Sequence, residues 1–290
     1  MIVPLIQSLR PKQWTKNILL FAGVIFSVHL FQIESLFRAA AGFVLFCILS
    51  SAEYLINDLM DLEKDRAHPV KSKRPLASGK VSIPLVIVTA LILFGGGLYA
   101  SFLLETGFGW IALSYSLMIL AYSLFLKRVV ILDVIIVALG FVLRAIAGAV
   151  VIRVSISSWL LVCAVFLAMF LVLSKRRHEL VLLGGDATAH RKILSEYTPY
   201  LLDQMVAVVT ASTVMAYALY TTASETVEKF GTRNLIFTLP FVLYGIFRYL
   251  YLVHQKNLGG SPELILLKDR PMQLNILLYI FMVGFILYSR

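Results

Sequence analysis

The sequence predicts an all-α membrane protein, a bundle of nine transmembrane helices with a cytoplasmic N-terminus. Composition, the spacing of apolar stretches and the placing of basic residues each point that way. Of 290 residues, 60% are hydrophobic and 14% charged, with mean hydropathy +0.88, outside the range of a soluble globular domain. Crossing the hydrocarbon core of a bilayer takes about 20 apolar residues. Nine stretches approach or reach that length: 17–33, 38–57, 82–104, 108–126, 130–152, 157–174, 199–222, 234–254 and 272–288. With the N-terminus inside, 19 of the 26 Lys and Arg residues fall on the cytoplasmic side, as the positive-inside rule requires.

Pro4, Pro11 and Trp14 precede the first, short stretch and read as an interfacial lead-in; no small-residue cleavage site follows, so a cleavable signal is not expected. Arg10, Lys12 and Lys16 lie inside, and Arg38 opens the second stretch from the outer side. Lys64, Arg66, Lys71, Lys73, Arg74 and Lys80 fill the next cytoplasmic loop. Lys127 and Arg128 follow the fourth stretch, and Lys175, Arg176, Arg177, Arg191 and Lys192 follow the sixth. Lys256, Lys268 and Arg270 precede the last. Arg153, Lys229, Arg233 and Arg290 join Arg38 outside, and only Arg144 and Arg248 fall in the interior of stretches. Gly95, Gly96, Gly97, Gly140 and Gly148 permit close helix approach.

The net charge of +10 is mostly this topology signal. A basic cytoplasmic face also attracts anionic headgroups or phosphorylated substrates. No basic run is interleaved with aromatics in a soluble module, so nucleic acid is excluded as a partner. Cys47 and Cys163 both fall inside apolar stretches and read as small buried side chains. Residues 1–290 form one integral-membrane domain; a homo-oligomer is compatible with the sequence, which does not specify one.

The most polar stretch, "LINDLMDLEKDRAHPVKSKRPLASG", lies between two apolar ones. Asn57, Asp61 and Asp65 are spaced i, i+4, i+8 and share one helical stripe, with Asp58 about 100° away. Oxygen ligands without His or Cys suit a hard cation such as Mg²⁺, which keeps waters and binds substrate phosphate oxygens. Lys73 and Arg74, in the Pro-bounded loop beyond, suit a diphosphate leaving group. A solvated helix end, with Lys64 and Arg66 paired to the carboxylates, is the plainer reading. Against it, Asn57 and Asp58 directly follow an apolar run, where polar residues tend to be functional.

This string, N-D-x-x-D-x-x-x-D followed by H-P-x-K-x-x-R-P-L-A-S-G, resembles the first aspartate-rich motif of the UbiA superfamily of intramembrane prenyltransferases. The resemblance runs over essentially the whole chain and implies a helical bundle with a central cavity. "RPKQWTKN", from Arg10 to Asn17, is similar to the N-terminal signature of the superfamily's polyprenyl-phosphate phosphoribosyltransferase branch; a positive-inside anchor explains Arg10, Lys12 and Trp14 but not Gln13 and Asn17. "YSLFLKRVVILDV" resembles the tyrosine–lysine motif of the second cytoplasmic loop, with Tyr122 and Lys127 one residue further apart than usual.

Asp133, a turn inside the fifth stretch, wants a partner. Arg144, eleven residues on, lies on nearly the same helical face, so the two either serve one cavity or form a structural pair. Where the superfamily carries a second aspartate-rich motif for another Mg²⁺, this chain reads "SKRRHELVLLGGDATAHRK". Lys175, Arg176 and Arg177 replace the acids, leaving Glu179 and the more distant Asp186. Guanidinium forks hold phosphate directly, so the departure favours a substrate with more phosphate than one diphosphate.

The resemblance therefore implies transfer of 5-phosphoribosyl from phosphoribosyl diphosphate to a polyprenyl phosphate, releasing diphosphate, in cell-envelope precursor synthesis at the bacterial inner membrane. Asn57, Asp61 and Asp65 would hold Mg²⁺, with Asp58 in a supporting role or on the ribose hydroxyls. Lys73 and Arg74 would steady the diphosphate. Lys175, Arg176 and Arg177 would take the 5-phosphate or the acceptor phosphate, with Glu179 also substrate-binding, Lys16, Tyr122 and Lys127 on the rim and Asp133 and Arg144 deeper. An anionic acceptor needs no general base; His29, His68, His178, His190 and His254 read as loop or interfacial residues. Two rivals are a prenyltransferase using a prenyl diphosphate, and a transporter with Asp133, Arg144 and Arg248 lining a pathway. The missing second acidic motif counts against the first, the lack of a repeat against the second.

Overall fold

In a bilayer no water satisfies a free backbone N–H or C=O, and only a helix satisfies them within one segment. The computed structural model describes residues 2–26, 32–68, 70–183, 192–256, 258–260, 265 and 268–288, and among these the regular elements are all helical. Twelve α-helices are numbered here in chain order: α1 Ile2–Ser8, α2 Ala22–Phe26, α3 Ile33–Met60, α4 Leu62–Ala67, α5 Ile83–Leu104 and α6 Thr106–Leu124; then α7 Leu132–Val151, α8 Ser158–Leu183, α9 Pro199–Thr222, α10 Ser224–Phe230, α11 Leu239–Gln255 and α12 Arg270–Tyr288. Among the described residues eight helices are long and apolar enough to cross a membrane: α3, α5 to α9, α11 with its 3-10 lead-in from Asn234, and α12. The chain is a multi-pass membrane protein.

The first expected stretch, 17–33, folds otherwise over its described part. Pro11–Phe21 is a 3-10 helix and only Ala22–Phe26 is α-helical, with 27–31 outside the described residues. The reason is local. Arg10 sits in the left-handed region (φ 54°) just before Pro11, turning the chain onto α3. There the Trp14 indole N–H donates to Ser51 Oγ at 3.0 Å, and Asn17 Nδ2 donates to Ser50 Oγ at 3.3 Å. Polar bonds to a neighbour, rather than hydropathy alone, set the path of this segment. A second difference is that α8 continues beyond 174, the expected end of the sixth stretch, to Leu183, so Lys175, Arg176 and Arg177 are helical.

The chain divides into two compact units. Unit 1 comprises Met1–Leu126 and Gly140–Ile156; unit 2 comprises Lys127–Leu139 and Ser157–Arg290. In unit 1 the core gathers around Leu20, Phe46, Phe108, Tyr115 and Ala147, all 0–2% exposed. Phe46 packs at 5.5 Å from Phe108 and 5.2 Å from Tyr115, ring centre to ring centre. Gly148 is required here: a Cβ on it would fall on the Leu20 carbonyl, and one on Gly23 would lie 2.8 Å from the Ala149 backbone. At Gly95 and Gly96, by contrast, an added Cβ meets nothing within 4 Å.

Arg38 and Arg153, expected on the outer side, share Glu105. Arg38 Nη2 lies 3.0 Å and Arg153 Nε 2.8 Å from Glu105 Oε2, and Arg38 Nε donates to the Val151 carbonyl at 2.6 Å. In unit 2, α8 packs on α9 around Cys163, Ala216, Tyr217 and Tyr220. Both cysteines are free and buried, as their apolar surroundings suggested. Arg248 makes two bonds to Asp269, at 2.8 and 3.1 Å.

Candidate functional site

The acidic stripe of unit 1 survives a break in the helix. Asp61 stands between α3 and α4 with φ −96° and ψ 8°, yet the i to i+4 ladder is kept. Asp61 N–H donates to the Asn57 carbonyl at 3.0 Å, and Asp65 N–H to the Asp61 carbonyl at 2.8 Å. Asn57 and Asp61 are half-buried and Asp65 is buried. Arg74 Nη1 donates to Asp65 Oδ2 at 2.5 Å and to Asp58 Oδ1 at 3.1 Å. Asp58, 4% exposed, takes a second guanidinium on the same oxygen, from Arg10 Nη2 at 2.5 Å. Lys64 stands 3.9 Å from Asp61 and Arg66 3.2 Å from Glu63. Those exposed pairs are the local ones expected of a helix end and contribute little.

Lys73 is exposed at the end of the 3-10 turn Lys71–Lys73. Pro69 is outside the described residues. His68 Nδ1 accepts from the amides of Val70 and Lys71 at 3.1 and 3.2 Å, which fixes the loop and gives that nitrogen a structural task.

Arg10, read from the sequence as part of a branch signature and a topology charge, is thus a member of the acidic cluster. Its guanidinium also lies 4.7 Å from the Tyr54 ring centre. The segment runs antiparallel along α3: Arg10 meets Asp58, Trp14 meets Ser51 and Asn17 meets Ser50. The signal was in "RPKQWTKN", whose Asn17 a topology anchor left unexplained. Lys16 is half-buried in the same segment, and Tyr122 is half-buried near the end of α6.

Asp133 and Arg144 do not pair with each other. Arg144 is 7% exposed and belongs to unit 1. Its Nε donates to Asn17 Oδ1 at 2.7 Å, Nη1 to the Gly140 carbonyl at 2.8 Å and Nη2 to Tyr115 Oη at 2.6 Å. Glu53, which the sequence reading passed over, is also buried here at 5% exposure.

Asp133 belongs to unit 2 and is 0% exposed. Its Oδ2 accepts from Arg176 Nε at 3.1 Å and its Oδ1 from the Tyr197 hydroxyl at 2.7 Å. That hydroxyl in turn accepts from the Ile131 amide at 2.8 Å, and Ile131 sits at φ 71°, a costly conformation for a β-branched residue. Burial pushes the Tyr197 phenol up to about 12. Arg176 also donates to Glu179 at 2.9 Å, and Arg177 Nε to Asp203 at 2.5 Å, a carboxylate shared with His254 Nε2 at 3.3 Å.

The three consecutive cations therefore do not form one clamp. On a helix successive residues point about 100° apart, so Arg176 and Arg177 go to different acids while Lys175 stays half-buried. Lys127 is half-buried in the 3-10 turn Leu126–Arg128. His29, Asp186, His190 and Arg191 lie outside the described residues. Tyr197 and Asp203 had no sequence signal, since each gains its role only from a partner far along the chain.

Among the described residues no three His, Cys, Asp or Glu side chains converge to hold a metal. The donor set of the acidic stripe, oxygen atoms from Asn57, Asp61 and Asp65, nevertheless fits a hard divalent cation in kind.

Residues 18–277 match the UbiA prenyltransferase family. The chain is 33% identical to a decaprenyl-phosphate phosphoribosyltransferase of Mycobacterium tuberculosis over 98% of its own length and 94% of that protein's. It is 33% identical to the Corynebacterium glutamicum protein of that name over 98% and 86%. Its fold is similar to a UbiA homologue of Archaeoglobus fulgidus bound to GPP and Mg²⁺, with TM-score 0.74 and 23% identity over 99% of this chain and 100% of that one.

Proposed function

The chain belongs to the UbiA prenyltransferase family, and from that premise we propose that it transfers the 5-phosphoribosyl group of phosphoribosyl diphosphate to a polyprenyl phosphate, releasing diphosphate. The observation that carries this reading is the 33% identity, over 98% of the chain, to enzymes named as decaprenyl-phosphate phosphoribosyltransferases.

Asn57, Asp61 and Asp65 would hold Mg²⁺, which would supply positive charge to offset that of the departing diphosphate. Arg74 and Lys73 hold that diphosphate, and Asp58 keeps Arg10 and Arg74 aligned beside it. Lys16 and Tyr122 add polar contacts in unit 1; in unit 2, Lys127, Lys175, Arg176 and Arg177, the last two set by Asp133, Glu179 and Asp203, are proposed phosphate-binding cations. The acceptor is already an anion, so no base removes a proton, in keeping with the engaged nitrogen of His68. The pentose carbon becomes oxocarbenium-like, and positioning and fixed charges do most of the work. The 1–290 chain acts as one domain in the inner membrane, with its N-terminus and reacting groups on the cytoplasmic side. The product is a precursor of the cell envelope.

The test is an assay of detergent-solubilised protein with labelled phosphoribosyl diphosphate, polyprenyl phosphate and Mg²⁺. Label should enter the lipid phase in wild type and not in Asp61→Ala, nor after chelation of divalent ions. Consumption of a prenyl diphosphate in place of that donor would replace this reading by ordinary prenyl transfer.

A further inference from the structure

Tyr197 closes a line of bonds within unit 2. The Ile131 amide can only donate, so at 2.8 Å it takes a lone pair of the Tyr197 oxygen. The hydroxyl proton is left for Asp133 Oδ1, 2.7 Å away, while Asp133 Oδ2 accepts from Arg176 Nε at 3.1 Å. Arg176 Nη1 in turn donates to Glu179 at 2.9 Å. Ile131, Tyr197, Asp133, Arg176 and Glu179 are thus bonded in series, and Tyr197, Asp133 and Arg176 are each 0–3% exposed.

An ion pair serving stability alone requires neither of two further features. Arg176 is held at two nitrogens by carboxylates of two helices, Asp133 of α7 and Glu179 of α8. A planar guanidinium fixed at two points has a set orientation, which matters for gripping a phosphate and not for balancing a charge. Ile131 stands at φ 71°, costly for a β-branched residue. Such outliers persist where the surroundings over-determine them, and they cluster at functional sites. Here the strained residue presents its amide to the Tyr197 oxygen, and the turn that carries Lys127 ends three residues before it.

We propose that Tyr197 is a positioning residue: its hydroxyl orients the Asp133 carboxylate, and through it the Arg176 guanidinium, for a phosphate monoester of one substrate. This rests on the reading of Arg176 as a phosphate-binding cation in phosphoribosyl transfer. The 5-phosphate of the donor and the phosphate of the polyprenyl acceptor share that chemistry, and separate KM values distinguish them.

The experiment measures kcat and KM for each substrate, the other being saturating, in wild type, Tyr197→Phe, Arg176→Lys and the double variant. Folding is followed by thermal unfolding in detergent. Tyr197→Phe keeps the ring and removes only the hydroxyl. It should raise KM for one substrate about tenfold or more with kcat nearly unchanged, the pattern of lost ground-state binding. Arg176→Lys keeps the charge and loses the fork, and it should raise the same KM. In that background the further effect of Tyr197→Phe on KM should shrink to about twofold or less, because changes along one line of bonds do not add. A rise confined to phosphoribosyl diphosphate assigns Arg176 to the 5-phosphate, and one confined to polyprenyl phosphate assigns it to the acceptor. The proposal is overturned by a Tyr197→Phe protein that melts earlier with both KM values at wild type, by additive effects on KM, or by wild-type KM values in Arg176→Lys. Should Tyr197→Phe not fold, Ile131→Gly is added to it, since glycine takes a positive φ without the cost borne by isoleucine, and the same comparison is made. Failure of that variant too overturns the proposal and marks Tyr197 as structural. Wild type that turns over no phosphoribosyl diphosphate removes the underlying reading, an outcome told apart because there is then no wild-type KM to compare.

Discussion

Asp133 and Arg176, on different helices 43 residues apart, form an ion pair at 3.1 Å in which the side chains are 0% and 4% exposed. Removing one partner of such a pair leaves a buried charge uncompensated, which costs about 3–5 kcal/mol, whereas apolar replacement of both is often neutral. Asp133→Asn should lower the unfolding temperature markedly. The double variant Asp133→Leu with Arg176→Met should recover much of the loss, measured by thermal unfolding in detergent; additive losses would mean that the two charges are not coupled.

Arg10→Gln tests the reach of the N-terminal segment into the acidic cluster. Hydrogen bonds to charged groups contribute about 1.5–3 kcal/mol, roughly a 10- to 100-fold change. A lower melting temperature and a lower kcat/KM are expected together, because the bond lost is part of the folded acidic cluster, and Lys12→Gln, outside the cluster, should leave both intact. A wild-type rate in Arg10→Gln would reduce Arg10 to a topology charge.

Gly148→Ala places a methyl on the Leu20 carbonyl, and overpacking of this kind costs about 1–3 kcal/mol. Gly95→Ala meets open space and should leave stability unchanged or slightly raised. The pair is read out by thermal unfolding, and equal behaviour would deny the close approach at Gly148.

Glu105 gives a pH test. Its bond to Arg153, with Arg38 adding a further charge, holds its carboxyl below the usual range. A depressed acid binds fewer protons folded than unfolded, so its contribution is present above the ordinary carboxylate value near 4.5 and is lost as pH falls through the folded value. The melting temperature of wild type should drop more steeply below about pH 5 than that of Glu105→Gln. Parallel curves would place the Glu105 contribution elsewhere.

Eight of the nine apolar stretches and the acidic stripe could be read from the sequence because both are periodic local signals. Asn57, Asp61 and Asp65 kept their register even across the break at Asp61. What periodicity does not carry is the identity of the element that a face meets. Asp133 and Arg144 share a face on paper, yet one is bonded to Arg176 and the other to Asn17, 127 residues away. Lys175, Arg176 and Arg177 looked like one cluster because adjacency in sequence is not adjacency on a helix. The 17–33 stretch had the hydropathy of a span, while Arg10, Trp14 and Asn17, which steer it, are individually unremarkable. Arg10 acquires meaning only beside Asp58.

The bonds of the N-terminal segment also impose an order on synthesis. When residues 10–17 leave the ribosome, their partners do not yet exist: Ser50, Ser51 and Asp58 come more than thirty residues later, and Arg144 later still. Until then Asn17, 1% exposed in the finished protein, has no bond to take it out of water, and polar groups enter lipid only at a cost. The segment is thus laid down before any of the partners that seat it. Nascent chains halted before α7 should leave it open to a water-borne thiol reagent at Asn17→Cys, and full-length chains should protect it.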